Sequence, residues 1–127
     1  MNASGFLAVG IGAATGAWLR WWLGLLLNPL VPTLPLGTLA ANLVGGYLMG
    51  IAMGLLTQYA SLPLEMRLFI VTGFLGGLTT FSTFSGEAVT LLARQQYGWV
   101  AAHLSLHLLG SIAMTGLGIF TVNLIRS

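Results

Sequence analysis

Residues 76–87 read GGLTTFSTFSGE. The segment puts two adjacent glycines, a run of hydroxyls and two phenylalanines at i,i+3 between the apolar stretches LFIVTGFL at 68–75 and AVTLLA at 88–93. If the flanking residues lie in hydrocarbon, a helix interruption here sits at membrane depth. In that solvent every backbone N–H and C=O must find a partner, so irregular backbone survives only where it is buried in protein, lines a cavity or holds an ion. The segment is therefore read as a functional site.

Composition supplies the hydrocarbon. Of 127 residues, 57% are hydrophobic and 5% charged, against about 25% charged in a soluble domain, and the mean hydropathy is +0.95. The chain reads as an all-α integral membrane protein of one domain. Each crossing takes about 20 apolar residues, so four transmembrane helices nearly exhaust the length; the spans are drawn at about 5–27, 36–57, 64–93 and 99–124, with the third helix broken mid-membrane. Asn28-Pro29 followed by Pro32 and Pro35 makes the first turn. The N-terminus lacks a basic n-region and its apolar run is too long for a signal-peptide core, which predicts a retained anchor. The isoelectric point near 9.7 rests on four scattered arginines, not a basic cluster, and nucleic acid is not an expected partner. Cysteine is absent, which removes disulfides, thiolate metal sites and cysteine nucleophiles together.

Glycines recur at helix-packing spacing: Gly12 and Gly16 in the first span, Gly46, Gly50 and Gly54 in the second. Small residues four apart let backbones approach closely in lipid, either within one subunit or between two. The charges favour neither orientation. Arg67 and Arg126 fall on the side of the termini, Arg20 and Arg94 on the other, and the positive-inside rule cannot choose. A chain that inserts both ways can pair antiparallel about an axis in the membrane plane, the symmetry of inverted-repeat transporters; the competing reading is an accidental tie.

Polar groups inside a span cost roughly 2.5–3.5 kcal/mol for Arg or Asp at mid-helix on insertion scales, so each needs a partner or a wet surface. Arg20 either snorkels to the interface or stands as a fixed positive charge at a pore mouth. Asn42, with Thr38 four residues before it on the same face, offers amide donors that suit an anion and a neighbouring helix equally. His103, His107, Ser111 and Thr115 recur every four residues in the fourth span, a stripe drifting about 40° per step that reads as a polar track or as hydrogen bonding to adjacent helices. No HExxH pattern or third ligand accompanies the two histidines. In the third span the edges of Phe81 and Phe84 carry the positive part of the ring quadrupole, so beside hydroxyls they can line the path of a small anion without holding it too tightly. Glu87 is a gate, a structural partner or an interfacial acid. A break at 76–80 frees carbonyl oxygens, which attract cations, and two antiparallel copies could complete a cage.

On these residues the chain resembles the Fluc (CrcB) fluoride channel family over essentially its whole length: in GAATGAWLR at 12–20, in TLAANLVGG at 38–46 centred on Asn42, and in GGLTTFSTFSGE. The resemblance implies an antiparallel, dual-topology homodimer with two fluoride pores around a central structural Na⁺, passively lowering cytoplasmic fluoride across the inner membrane of a microorganism. It matches Phe81 and Phe84 to pore-lining phenylalanines, Asn42 to an asparagine near them, and the carbonyls of Gly76 and Thr79 to Na⁺ ligands. Arg20, Thr38 and Glu87 match vestibule and pathway positions; Ser82, Thr83, Ser85 and Ser111 are candidates for a hydroxyl track. One departure stands out: where relatives often carry a Tyr and then a Ser on the fourth helix, this chain has His103 and His107.

No nucleotide loop is present, and no enzyme activity is expected. The runner-up is a small dual-topology drug exporter, which calls for a membrane-embedded carboxylate; the first two spans contain none, and Glu87 is the only candidate.

Overall fold

The structure, a computed structural model, describes residues 1–59 and 61–126. Every regular element among them is helical. The side chain of Asn2 accepts the Gly5 N–H at 2.7 Å and starts α1 (Ala3–Leu27), which gives way to a 3₁₀ turn at Asn28–Leu30 where Pro29 removes a donor. Pro35 precedes α2 (Leu36–Gln58) and has no side-chain acceptor for its first amides. Asn28 supplies one instead, taking the N–H groups of Gly37 and Thr38 at 2.7 and 3.3 Å.

The third helix, α3, is composite: an α-helical turn at Leu64–Arg67, a π-helical stretch at Leu68–Leu75 and a last α-helical turn at Gly76–Leu78. Thr79 and Thr80 then leave the helix in extended conformations, and α4 (Phe81–Ala93) resumes it. This corrects the expected extent of the break. Gly76 to Leu78 remain helical, and the interruption is confined to two threonines; the π-helical widening before it carries no composition signal of its own. Gln95, at φ 58°, turns the chain into α5 (Tyr97–Arg126).

Three helical segments are long and apolar enough to cross a membrane: Leu36–Gln58, α3 with α4 taken together at Leu64–Ala93, and Tyr97–Arg126. The 25-residue α1 matches them in length, but Arg20, three tryptophans and its glycines dilute its hydropathy.

Glycine determines the packing. Gly12 and Gly16 lie against the backbone of α3 at the Phe69 and Phe74 carbonyls, and Gly73 and Gly77 answer them against α1 at Val9 and Ala13. On the other side Gly46, Gly50 and Gly54 of α2 meet Ser111, Thr115 and Val122 of α5, and Gly118 meets the Tyr47 carbonyl. Both small-residue rows therefore serve contacts within the chain. In lipid this close approach replaces the hydrophobic drive that a soluble bundle would use. Outward-facing Phe6, Trp18, Trp22, Leu109, Ile112 and Phe120 are exposed, as suits a lipid-facing surface.

Candidate functional site: a clasped helix break between two cavities

A two-residue break strips the carbonyls before it of their helical donors. Thr79 still bonds back, its N–H at 3.0 Å and its hydroxyl at 2.8 Å to the Leu75 carbonyl. The Thr80 N–H, which a continuous helix would give to Gly76, goes instead to Asn42 Oδ1 at 2.8 Å, while Asn42 Nδ2 donates to the Thr80 carbonyl at 3.2 Å. One amide side chain thus pairs with the N–H and C=O of one residue as a strand neighbour would, and holds the break open from α2. The Thr79 methyl fits against Gly45, where a larger residue would collide with it. The Gly77 carbonyl accepts from Arg20 Nε at 3.0 Å. Arg20 is therefore anchored on the break, and simple snorkelling does not account for it.

Among the described residues, two carbonyls lose their donors without a replacement. Gly76 yields its donor to Asn42, and the Thr83 N–H that would serve Thr79 caps α4 through Thr80 Oγ1 at 3.2 Å. Gly76 and Thr79 line the same cavity. Two freed carbonyls from one chain fit a share of an oxygen-ligated cation such as Na⁺.

Asn42 also reaches α5, where its Nδ2 donates to His107 Nδ1 at 3.0 Å. Phe84 covers both histidines, its centroid 4.9 Å from His103 in a stacked arrangement and 4.7 Å from His107, and Phe81 lies 5.6 Å beyond it. His103 Nε2 bonds the Phe84 carbonyl at 3.1 Å and stands 3.7 Å from Glu87 Oε1. Glu87 Oε2 accepts from the Thr38 hydroxyl at 2.8 Å. That contact ties the half-buried Glu87 to α2.

The expected residues divide between two cavities. One of about 480 Å³ is lined by Asn42, Gly76, Thr79, Phe81, Phe84, His107, Ser111 and Thr115, among others. The second, about 270 Å³, is lined by Arg20, Thr38 and Thr83 together with Trp21 and Asn28. Thr80 lines both. Four expected residues line neither: Ser82 and Ser85 are exposed, Glu87 is half-buried, and His103 is wholly buried behind Phe84. The α5 stripe is split in role: Thr115 Oγ1 bonds the carbonyls of Gly46 and Ser111, both at 2.9 Å, holding α5 to α2, while Ser111 faces the larger cavity with its hydroxyl uncommitted among the described residues. Sequence reasoning passed over Thr80 and Asn28. Each could have been found by asking which side chains replace the backbone bonds lost at a break and at a proline-led helix start.

Glu87, His103 and His107 each offer a ligand atom within 4.8 Å of the others, a spacing that a transition metal could use. The hydrogen bonds argue otherwise. An amide nitrogen only donates, so Asn42 makes His107 Nδ1 an acceptor and leaves the proton on Nε2, where a metal would need a lone pair.

An all-helical chain with membrane-length apolar helices, one of them broken and clasped by half-buried polar side chains, has the build of a small multi-pass transport protein. The chain belongs to the CrcB-like family: the family model for CrcB-like protein, Camphor Resistance (CrcB), matches residues 7–119. A protein of Nitrosospira multiformis named Fluoride-specific ion channel FluC is 62% identical over 122 residues, covering 96% of this chain and 95% of its own. Proteins of the same name from Cupriavidus taiwanensis and Dechloromonas aromatica are 57% identical over 125 residues and 54% over 126, covering 98% and 99% of this chain and 99% and 93% of theirs.

Proposed function

We propose that the chain is a fluoride-selective channel that releases fluoride passively down its electrochemical gradient across the inner membrane of a microorganism. Identity of 62% along nearly the whole chain to a protein named for fluoride specificity carries the reading. Hydrogen fluoride crosses lipid neutral and ionises in the cytoplasm, so a passive pore suffices to empty the cell. A negative interior drives each anion outward by about 2.3 kcal/mol per 100 mV.

The geometry supports division of this task. Arg20 gives the smaller cavity a positive mouth, while the ring edges of Phe81 and Phe84, the Asn42 amide and the donors of His107 and Ser111 line the larger one. In this reading α1 crosses the membrane as the fourth span, and the chain works as an antiparallel, dual-topology homodimer with two pores. The exposed Phe81, Ser82 and Ser85 then meet the second copy, Ser82 and Ser85 adding hydroxyls to the path. The carbonyls of Gly76 and Thr79 would hold their half of a shared structural Na⁺, whose contribution when bound is a fixed positive charge between the subunits. The drug-exporter alternative needs a free embedded carboxylate, and Glu87 is engaged by Thr38.

The test is fluoride efflux from liposomes containing only the purified protein. Selective efflux is expected; its absence, or chloride leaving equally fast, sinks the proposal. Cysteines introduced near each loop should label from both sides of the membrane in one population, and one-sided labelling would refute dual topology.

A further inference from the structure

Asn28 staples the end of α1 to the start of α2. Its own N–H closes α1 on the Gly24 carbonyl, while its Oδ1 accepts from the N–H groups of Gly37 and Thr38 at 2.7 and 3.3 Å. Pro35 gives α2 no side-chain cap of its own, so the first turn of α2 takes its cap from the preceding helix. The two helices also lie close together here. A Cβ on Gly37 would meet the Gly24 Cα and the Leu23 carbonyl. Close packing fixes how near α2 sits to α1, and two bonds to consecutive amides hold its first turn against rotation about the helix axis.

Rotation matters because of what that turn carries. Thr38 is 5% exposed and lines the smaller cavity, and its hydroxyl donates to Glu87 Oε2 at 2.8 Å. Glu87 Oε1 has no hydrogen-bond partner among the described residues, so the Thr38 hydroxyl is what holds the carboxylate to α2. An O–H···O bond spans 2.5–3.0 Å, and moving the hydroxyl by about 1 Å breaks it. A carboxylate so released can turn its charge toward an anion in the neighbouring cavities, where like charges repel strongly at low dielectric. Arg20, on the same helix as Asn28, is bonded to the Gly77 carbonyl. Through these two side chains α1 sets the turn bearing Thr38 relative to the break, and both of them line the smaller cavity.

We infer that Asn28 is a positioning residue of the fluoride path. It acts through Thr38, holding the first turn of α2 at the rotation that keeps the Glu87 carboxylate bonded and turned away from the anion. The inference rests on the fluoride-channel reading and adds to it a residue remote from both the break and the phenylalanines.

The test is a double-mutant cycle on fluoride efflux from liposomes holding the purified full-length chain, each variant first shown to be monodisperse and flux taken per folded protein. Asn28→Ala and Thr38→Val should each cut flux several-fold. The double variant should conduct no worse than the slower single one, because both changes release the same carboxylate. A cap serving only the stability of α2 would instead lower the thermal midpoint and give losses that multiply. Wild-type flux in either single variant, or multiplied losses in the double one, overturns the inference and leaves the channel reading standing. No fluoride flux from the wild-type protein overturns both. Should Asn28→Ala not fold, Asn28→Gln takes its place in the cycle: it keeps an amide at the smaller cavity with a longer reach, and the same outcomes decide.

Discussion

Replacing Asn42 by Leu tests the account of the break most directly. The two side chains are similar in volume, so the change removes hydrogen bonds without opening a large void. Asn42 makes contacts of 2.8 and 3.2 Å to the Thr80 N–H and C=O and one of 3.0 Å to His107. A buried backbone group left unsatisfied costs about 1–3 kcal/mol; the Thr80 N–H and C=O together give about 2–6 kcal/mol. That range overlaps the whole stability of a typical domain, about 5–15 kcal/mol, although a wet cavity lets water recover part of it. Asn42→Leu is therefore expected to lower the thermal midpoint of the purified protein sharply and to abolish fluoride efflux. Asn42→Asp separates the two effects. It keeps the acceptor for the Thr80 N–H but sets an oxygen against the Thr80 carbonyl and removes the donor to His107, so conduction should fall further than stability. An Asn42→Leu protein with an unchanged midpoint and unchanged efflux would refute the clasp.

Further consequences can be measured separately. Gly50→Leu drives a side chain into the Thr115 carbonyl and the Gly118 backbone; separation of α2 from α5 should leave little folded protein on size-exclusion chromatography, and a monodisperse variant would contradict the seam. Arg20→Gln removes the charge at the smaller cavity while retaining a donor for the Gly77 carbonyl; fluoride flux should fall several-fold and lose much of its dependence on ionic strength, and flux as salt-sensitive as the wild type would exclude electrostatic focusing. Phe81→Ile and Phe84→Ile should each cut fluoride conduction with the oligomer still assembled, and full conduction by both variants would remove the rings from the path.

The sequence made the helical architecture readable because hydropathy and turn residues dominate where the solvent is hydrocarbon. Pro29, Pro32 and Pro35 marked one boundary, and the hydroxyl run after Leu78 marked the break. Its extent was misjudged because adjacent glycines suggest an unwound backbone, whereas Gly77 is used to bring α3 against Ala13 of α1. The site residues were legible as types and not as pairs. Asn42 suited an anion or a helix equally until Thr80 was found opposite it, and Arg20 suited a snorkel until the Gly77 carbonyl appeared. Partners of this kind lie 38 and 57 positions apart, far beyond any local pattern. The split between His103 and His107 was equally hidden, since it depends on which atom each ring's neighbour presents.

The π-helical stretch Leu68–Leu75 has a bearing on how such a chain tolerates changes in length. A π-helical turn holds an extra residue relative to an α-helical one, so deleting a single residue there could restore ordinary helix without breaking the chain. A deletion in the α-helical turn Gly76–Leu78 has no such slack, and would turn everything downstream by about 100° relative to what precedes it. Gly12 would keep α1 seated at Phe69 and Gly73, while Thr80 would rotate away from Asn42. The chain thus has a fixed phase between its packing seam and its break, and an insertion or deletion between the two is far less neutral than one in the loop after Gln58.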